Sequence, residues 1–421
     1  MNLFAIAILS VIIVDFFLST IADFLNLREL SKEVPPALST IYDADQYRKS
    51  QHYLRVNTYF DRVNAVFNLS ITLLFWFAKG FSLLDSGLRG MNQGPLLTGI
   101  LFIGTLAFLK MLTDLPFSLY HTFVIEEKFG FNKTTPRTFF LDRLKGLGLT
   151  LVLGIPLLTG ILAFFEYAGP AAWLYCWAAV VAFMLLVQFV APTWIMPLFN
   201  KFTPIDPGEL KTAILSYAQR IGFSLENVFV MDGSKRSSKS NAFFTGFGRH
   251  RRIVLFDTLV SHIGLRELVA VLAHEMGHYK KHHILFSILI GIGHTGVLFF
   301  LLSLFLTNQA LFDAFYVSTP SVYGGLIFFS LLYTPIELFM GILMQLLSRK
   351  NEFAADRFAA QTTHDPDALM SALKRLAAKN LSNLTPHPFY VFLNYSHPPL
   401  MERLQALAAY PIRGGFGSET R

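Results

Sequence analysis

From end to end, the chain alternates between apolar runs of membrane length and the polar stretches that separate them. Seven runs reach or approach the roughly 20 residues that a helix needs to cross a bilayer core about 30 Å thick. They are residues 2–24, about 63–83, about 96–120, about 146–166, 171–195, 284–306 and about 322–347. No basic residue precedes the first run and no small-residue cleavage site follows it, so it reads as a retained helix rather than a signal peptide. Asn64, Asn68 and Lys79 interrupt the second run, and Lys110 and Asp114 the third. Lipid exposure of such groups costs on the order of a few kcal/mol each, which predicts that they face a bundle interior or an interface.

The polar stretches divide the chain. Residues 1–195 read as five membrane helices with their loops, 196–283 as the first part of a polar domain, 284–347 as membrane helices six and seven, and 348–421 as the second part of that domain. In 196–283 a helical pattern, "PGELKTAILSYAQRIGF", is followed by two strand-like runs, "NVFVMD" and "RRIVLFD", and then by a helix from about Leu265. Residues 348–421 carry helical patterns at "NEFAADRFAAQ", "PDALMSALKRLAAK" and "SHPPLMERLQALAAY", ending in what reads as a loose tail, "GGFGSETR".

Charge adds orientation. Loop 25–62 holds Arg28, Lys32, Arg48, Lys49, Arg55 and Arg62, and loop 121–145 holds Lys128, Lys133, Arg137, Arg143 and Lys145. Loops 167–170 and 307–321 hold no Lys or Arg, and 84–95 only Arg89. The alternation predicts an N-terminus outside and both polar regions, with the C-terminus, on the cytoplasmic side. The net charge of +7 belongs to those loops, and no long basic run interleaved with aromatics points to nucleic acid. Hydrophobic residues make up 53% of the chain and charged residues only 15%, against about 25% charged in ordinary globular chains. That balance excludes a typical soluble protein. The lone cysteine, Cys176, can form neither an internal disulfide nor a cysteine zinc site.

The chemistry concentrates in "VLAHEMGHYKKHHILFS", residues 271–287. His274 and His278 stand one helical turn apart, on one face, and can reach a single zinc ion. Glu275 sits beside them, placed to take a proton from water that the metal acidifies. A catalytic zinc wants a third protein ligand and an open position. Candidates are His282, His283, His294, Glu337, Glu352, Asp356, His364, His387 and His397. His282 and His283 follow too closely on what reads as the same continuous helix, and with Lys280 and Lys281 they suit a collar at the lipid head groups. Glu352 and Asp356 share a helix face at i and i+4. Their helix leaves the seventh membrane run as the motif helix enters the sixth, and the short loop 307–321 would bring both to one membrane level.

Further blocks carry a resemblance: "EVPPAL", "FVIEEKFGFNKTTPRTFFLD", "PLFNKFTPI", "GSKRSSKSNAFFTGFGRHRRIVLFDTL", "NEFAADRFA" and "SHPPLMERLQAL". With HEMGH they span residues 33–408, and the chain resembles the type 1 CaaX prenyl proteases, integral-membrane zinc metallopeptidases. That resemblance implies seven transmembrane helices around a water-filled chamber. It implies one zinc ion per chain on His274, His278 and Glu352, with Glu275 as catalytic base. Asp356 matches a carboxylate that would orient a histidine ligand or pair with Arg403. His397 resembles a histidine facing the cleft, either stabilising an oxyanion or structural. Asn241 resembles a position on the strand that pairs with the peptide. The basic cluster Lys235, Arg236 and Arg249–Arg252 would attract a peptide's terminal carboxylate or form a membrane-facing patch.

The expected fold is an all-α polytopic membrane protein of seven transmembrane helices with a small α+β zinc-protease domain on the cytoplasmic face. The expected partners are a peptide or protein substrate, with or without a lipid, and the bilayer; a monomer is expected. A quality-control protease without a prenyl substrate, a transporter and a non-cutting scaffold are the competing readings. The lack of matching halves argues against the transporter.

Overall fold

In the computed structural model, all residues are described except 31–32, 35–37, 39–42, 224, 226, 246–251 and 411–421. Part of the "EVPPAL" block, Arg249, Arg251 and the "GGFGSETR" tail therefore lie outside the described residues.

Six helices are long and apolar enough to cross a membrane: α1 (Leu3–Arg28), α4 (Pro95–Phe129), α5 (Pro136–Tyr167), α6 (Gly169–Phe199), α9 (His283–Phe305) and α10 (Val322–Thr363). A seventh span arises if α2 (Ala44–Phe77) and α3 (Gly80–Arg89), which meet at a bend of 57°, are counted as one. The bend falls at Lys79, whose φ of 59° is left-handed and ends the first helix. The second apolar run thus belongs to a longer helix that starts 19 residues earlier, where polar residues continue the coil beyond the bilayer. Four of the polar interruptions of this run and the next pair with one another: Lys110 Nζ donates to Asn68 Oδ1 at 3.2 Å and forms an ion pair with Asp114, while Asn68 Nδ2 donates to Asn64 Oδ1 at 2.8 Å; the Lys79 ammonium lies 5.6 Å from the Tyr316 ring.

At one end of the bundle, Trp76, Phe102, Phe312, Phe315 and Phe328 form a buried aromatic core with Ile8 and Leu162. At the other end sits a mixed four-stranded sheet in the order β1-β2-β4-β3. Its strands are β1 (Phe202–Pro204), β2 (Asn227–Met231), β3 (Ala242–Thr245) and β4 (Arg252–Phe256). The two expected strands are β2 and β4, and they run parallel; β1 and β3 add antiparallel edges. Neither edge strand exceeds four residues, too short for alternation to register in the sequence.

The sheet-bearing domain also holds α7 (Glu209–Arg220), α8 (Leu265–Lys280), α11 (Pro366–Lys379) and α13 (Leu400–Ala408), and α12 (Pro388–Asn394) packs against α1 and α10. In α8, Glu267 at N3 reaches back to the Gly264 N–H at 3.0 Å and closes the helix start. Its apolar face, Leu268, Leu272, Ala273 and Met276, joins Ile253, Leu255, Leu259, Ala359 and Leu369 in a second core.

The expected continuous helix through 271–306 is broken. α8 ends at Lys280, α9 starts at His283, and between them His282 takes a left-handed φ of 59°. The metal-motif helix and the membrane helix are therefore two bodies joined by a hinge of two residues. By contrast α10 runs unbroken for 42 residues. At 1.5 Å per residue Glu352 lies about 45 Å along it from Val322, more than a bilayer core is thick.

Candidate metal centre

α8 and α10 pack side by side, and their closest approach falls within the motif. A Cβ on Gly277 would lie 3.2 Å from Ala355 Cα and 3.1 Å from the Phe358 ring, so glycine is what lets the two backbones meet. That contact sets His274 and His278 opposite Glu352. His274 Nε2 and His278 Nε2 stand 3.2 Å apart; Glu352 Oε1 is 3.2 Å from His278 Nε2, and Oε2 is 3.4 Å from His274 Nε2. A tetrahedral ion with ligands at about 2.0–2.1 Å has neighbouring donors about 3.3 Å apart. Each of the three contacts is close to that edge, with one Glu352 oxygen facing each histidine. Among the described residues this trio is the one group of histidines and carboxylates gathered in this way.

Behind the trio is a buried ionic layer. His274 Nδ1 lies 2.8 Å from Asp356 Oδ1, which fixes the ring so that Nε2 faces inward. Arg403 on α13 holds Asp356 with two bonds, Nε to Oδ2 at 2.8 Å and Nη2 to Oδ1 at 2.6 Å, and its Nη1 lies 3.3 Å from Glu352 Oε2. Burial opposes charge on His274, yet the neighbouring Asp356 and Glu352 carboxylates prevail and push its pKa up to about 9. Burial also opposes charge on Arg403; the Asp356 carboxylate outweighs it and raises the pKa.

Glu275 is half-buried, makes no hydrogen bond or ion pair among the described residues, and faces the same cavity. Burial raises its pKa above the ordinary carboxylate range, against the lowering effect of His274 and His278. The cavity has a volume of about 1080 Å³ and reaches from β3 past the trio to Gly291 on α9 and Gly341 on α10. Exposed His397 stands at its rim, with Nε2 3.4 Å from Glu352 Oε1 and Nδ1 2.9 Å from Ser396 Oγ. Asn241 also lines it. It lies one residue before β3 rather than within it, its side chain accepts from the Ala242 N–H at 2.9 Å, and its carbonyl accepts from Phe256 N–H at 3.1 Å.

Two family models match nearly the whole chain: the CAAX prenyl protease N-terminal region of five membrane helices over residues 23–201, and peptidase family M48 over 204–410. The chain belongs to the CAAX prenyl protease branch of the M48 peptidases. CAAX prenyl protease 1 of Saccharomyces cerevisiae is 38% identical over 94% of this chain and 93% of its own length. The Arabidopsis thaliana homolog is 37% identical over 91% of this chain and 93% of its own. The crystal structure of S. mikatae Ste24p matches with a TM-score of 0.91 at 35% identity, covering 97% of this chain and all of that one. The protein is accordingly a multi-pass membrane metallopeptidase.

A metallopeptidase needs a metal, and the residues fit one. Glu352 Oε2 is buried and makes no hydrogen bond among the described residues, with His274 Nε2 at 3.4 Å and Arg403 Nη1 at 3.3 Å beside it, so it has a lone pair to give a metal. Two placements differ from the sequence expectation. His283 does not belong to a lipid-facing collar: it is buried, and its Nδ1 lies 3.1 Å from His278 Nδ1, serving His278 as Asp356 serves His274. Only the break at Lys281–His282 turns it inward, and no periodicity announces that break. His282 is exposed and caps the start of α9 in a left-handed conformation. Arg236 is not a free cation for a peptide carboxylate, because Asp142 holds it at 2.8 and 3.0 Å.

Proposed function

We propose that this M48 peptidase is a zinc endopeptidase that cuts near the C-terminus of isoprenylated peptides on the cytoplasmic face of its membrane. His274, His278 and Glu352 would hold the zinc ion, whose chemistry there is Lewis acidity: polarising a carbonyl and acidifying water. The observation that carries the reading is the approach of His274, His278 and Glu352 at tetrahedral donor spacing, with Glu275 beside them and free of hydrogen bonds and ion pairs among the described residues.

Each neighbouring group then has a task. Glu275 Oε takes the proton from the attacking water and passes it to the departing amine; its raised pKa suits both transfers. Asp356 and Arg403 hold His274 by Nδ1, and His283 holds His278 by Nδ1, so both Nε2 atoms stay turned to the ion. His397, exposed at the rim, donates to the oxygen of the tetrahedral intermediate. β3 is an edge strand with one side unpaired, and Asn241, Ala242, Phe243 and Phe244 line the cavity. An extended peptide adds to that edge, and Asn241 fixes its end, so that main-chain bonds carry the scissile carbonyl to the centre.

The relatives' names supply the substrate class: proteins ending in a CAAX sequence and carrying a prenyl group. Sidedness follows from the basic loops, which gather at the metal end: Asn26 near the end of α1 bonds to Asn383 and His387, and Asp142 to Arg236. One chain supplies every group named, so a monomer suffices.

The test is cleavage of farnesylated and unmodified CAAX peptides by protein in nanodiscs, with zinc measured in parallel. Glu275→Gln should keep its zinc and lose about 10²–10⁴-fold in turnover, the contribution of a positioned general base. Undiminished turnover in that variant would sink the mechanism. Equal cleavage of both peptides would remove the prenyl requirement and leave the peptidase.

A further inference from the structure

β3 is four residues long and paired on one side only, so its position depends on what holds its ends. Its approach, residues 233–241, crosses between the membrane helices and the catalytic domain and is tied to both. On the membrane side, Ser237 bridges to Asn132, Ser238 N–H donates to Phe131 O at 3.0 Å, and Arg236 grips Asp142 on α5. On the catalytic side, Ser240 N–H donates to Asn380 Oδ1 at 3.1 Å, Asn380 Nδ2 returns to Ser240 O at 3.2 Å, and Thr258 Oγ1 donates to Lys239 O at 2.9 Å.

Near the end of this segment stands Lys239, two residues before Asn241. Its ammonium donates to Tyr53 Oη at 2.8 Å, lies 3.0 Å from Glu126 Oε2, and sits 4.5 Å above the Phe131 ring. Tyr53, on α2, donates in turn to the other oxygen of Glu126. Glu126 ends a π-helical stretch of α4, His121–Glu126, a local widening that is often functional. Three elements converge on one ammonium. A solvated lysine would keep its rotamer freedom; this one is held by an ion pair, a hydroxyl and an aromatic face. Its contacts are with none of the metal-centre residues.

We propose that Lys239 is a positioning residue for the substrate-pairing strand. Through Tyr53 and Glu126 it fixes Asn241 and β3 against α2 and α4, and thereby sets where a paired peptide backbone lies relative to the metal. The proposal rests on the reading that β3 pairs with substrate. Strand addition is a binding event, equal in ground and transition states, so its loss raises KM and leaves kcat in place.

The experiment uses the full chain in nanodiscs. Lys239→Met should raise KM about tenfold, with kcat within about twofold and zinc content unchanged, and Lys239→Arg should restore most of the loss. Lys239→Met also strands the Glu126 carboxylate, so its melting temperature should fall. Adding Glu126→Gln should recover the melting temperature but not the KM. Recovery of both would reduce Lys239 to a stabilising ion pair and overturn the proposal. If Lys239→Met does not accumulate, Tyr53→Phe removes only the hydroxyl and should raise KM about threefold; an unchanged KM there overturns the proposal equally. A peptide N-methylated at its pairing amide separates the two layers of the argument. A wild-type enzyme indifferent to the methyl group overturns the pairing reading and this proposal with it. A sensitive wild type with an unshifted Lys239→Met KM overturns the proposal alone.

Discussion

The two adjacent histidines after the motif, His282 and His283, look alike in the sequence and do different things. His283 lies 3.1 Å from His278 through their Nδ1 atoms, whereas His282 is exposed and takes the left-handed φ that ends α8. For His278 Nε2 to serve a metal, its Nδ1 carries the proton and donates to His283 Nδ1. Removing that acceptor releases the ring and exposes a choice of tautomer. His283→Leu should therefore weaken zinc affinity about 10–100-fold, the usual cost of losing a partner behind a ligand. His282→Ala should leave affinity within about twofold. Competition with a chromogenic chelator measures both. Equal losses from the two variants would mean that His283 acts by general packing, and no loss from either would remove it from the centre.

At the scale of elements, the centre is a crossing of two helices, and Gly277 decides how near they come. A Cβ there meets Ala355 Cα at 3.2 Å and Ala355 O at 3.3 Å, backbone atoms of α10 that cannot swing aside as a side-chain tip could. Gly277→Val should push α8 off α10 and separate His274 and His278 from Glu352. A misplacement near 1 Å costs about 10²-fold in rate, so turnover should fall at least that far, with zinc content reduced in step. Gly293→Ala on α9, where an added Cβ meets nothing within 4 Å, is the matched control and should keep its activity. Full activity in Gly277→Val would show that the crossing has slack. The same crossing explains what the sequence could and could not reveal. His274, Glu275 and His278 at i, i+1 and i+4, and Glu352 with Asp356 at i and i+4, are periodic facts, and periodicity survives in a one-dimensional text. β3 is too short to show alternation, the break at Lys281–His282 hangs on one residue's φ, and the Tyr53–Glu126–Lys239 cluster joins positions 186 residues apart. None of these leaves a local pattern. The membrane runs were legible in hydropathy, but their ends were not. α2 begins at Ala44 and α10 continues to Thr363, because a helix stays a helix after it leaves the lipid while apolarity stops at the border.

The whole molecule joins a sheet-bearing catalytic domain to one end of a membrane bundle, and its orientation decides which proteins it can meet. Among the described residues, the ends of the basic stretches 25–62 and 121–145 are tied to the catalytic domain, Asn26 to Asn383 and His387, Glu126 to Lys239 and Asp142 to Arg236, while residues 78–95, which include Gln93, carry only Lys79 and Arg89 as cations. Lys and Arg concentrate on the cytoplasmic side of membrane proteins, so the metal end should face the cytoplasm and Gln93 the other compartment. The chain suits a labelling test because its single cysteine, Cys176, is fully buried within the bundle. The native sequence is thus a silent background. Gln93→Cys and Glu402→Cys place one thiol at each end, both on exposed positions. In sealed membranes with the outer face exposed, an impermeant maleimide should label Gln93→Cys at once and Glu402→Cys only after permeabilisation. The reverse order would invert the molecule, and with it the compartment from which substrate reaches the metal centre. Labelling of both before permeabilisation in verified sealed membranes would mean that the chain has no single orientation, and the positive-inside argument would fail for this fold.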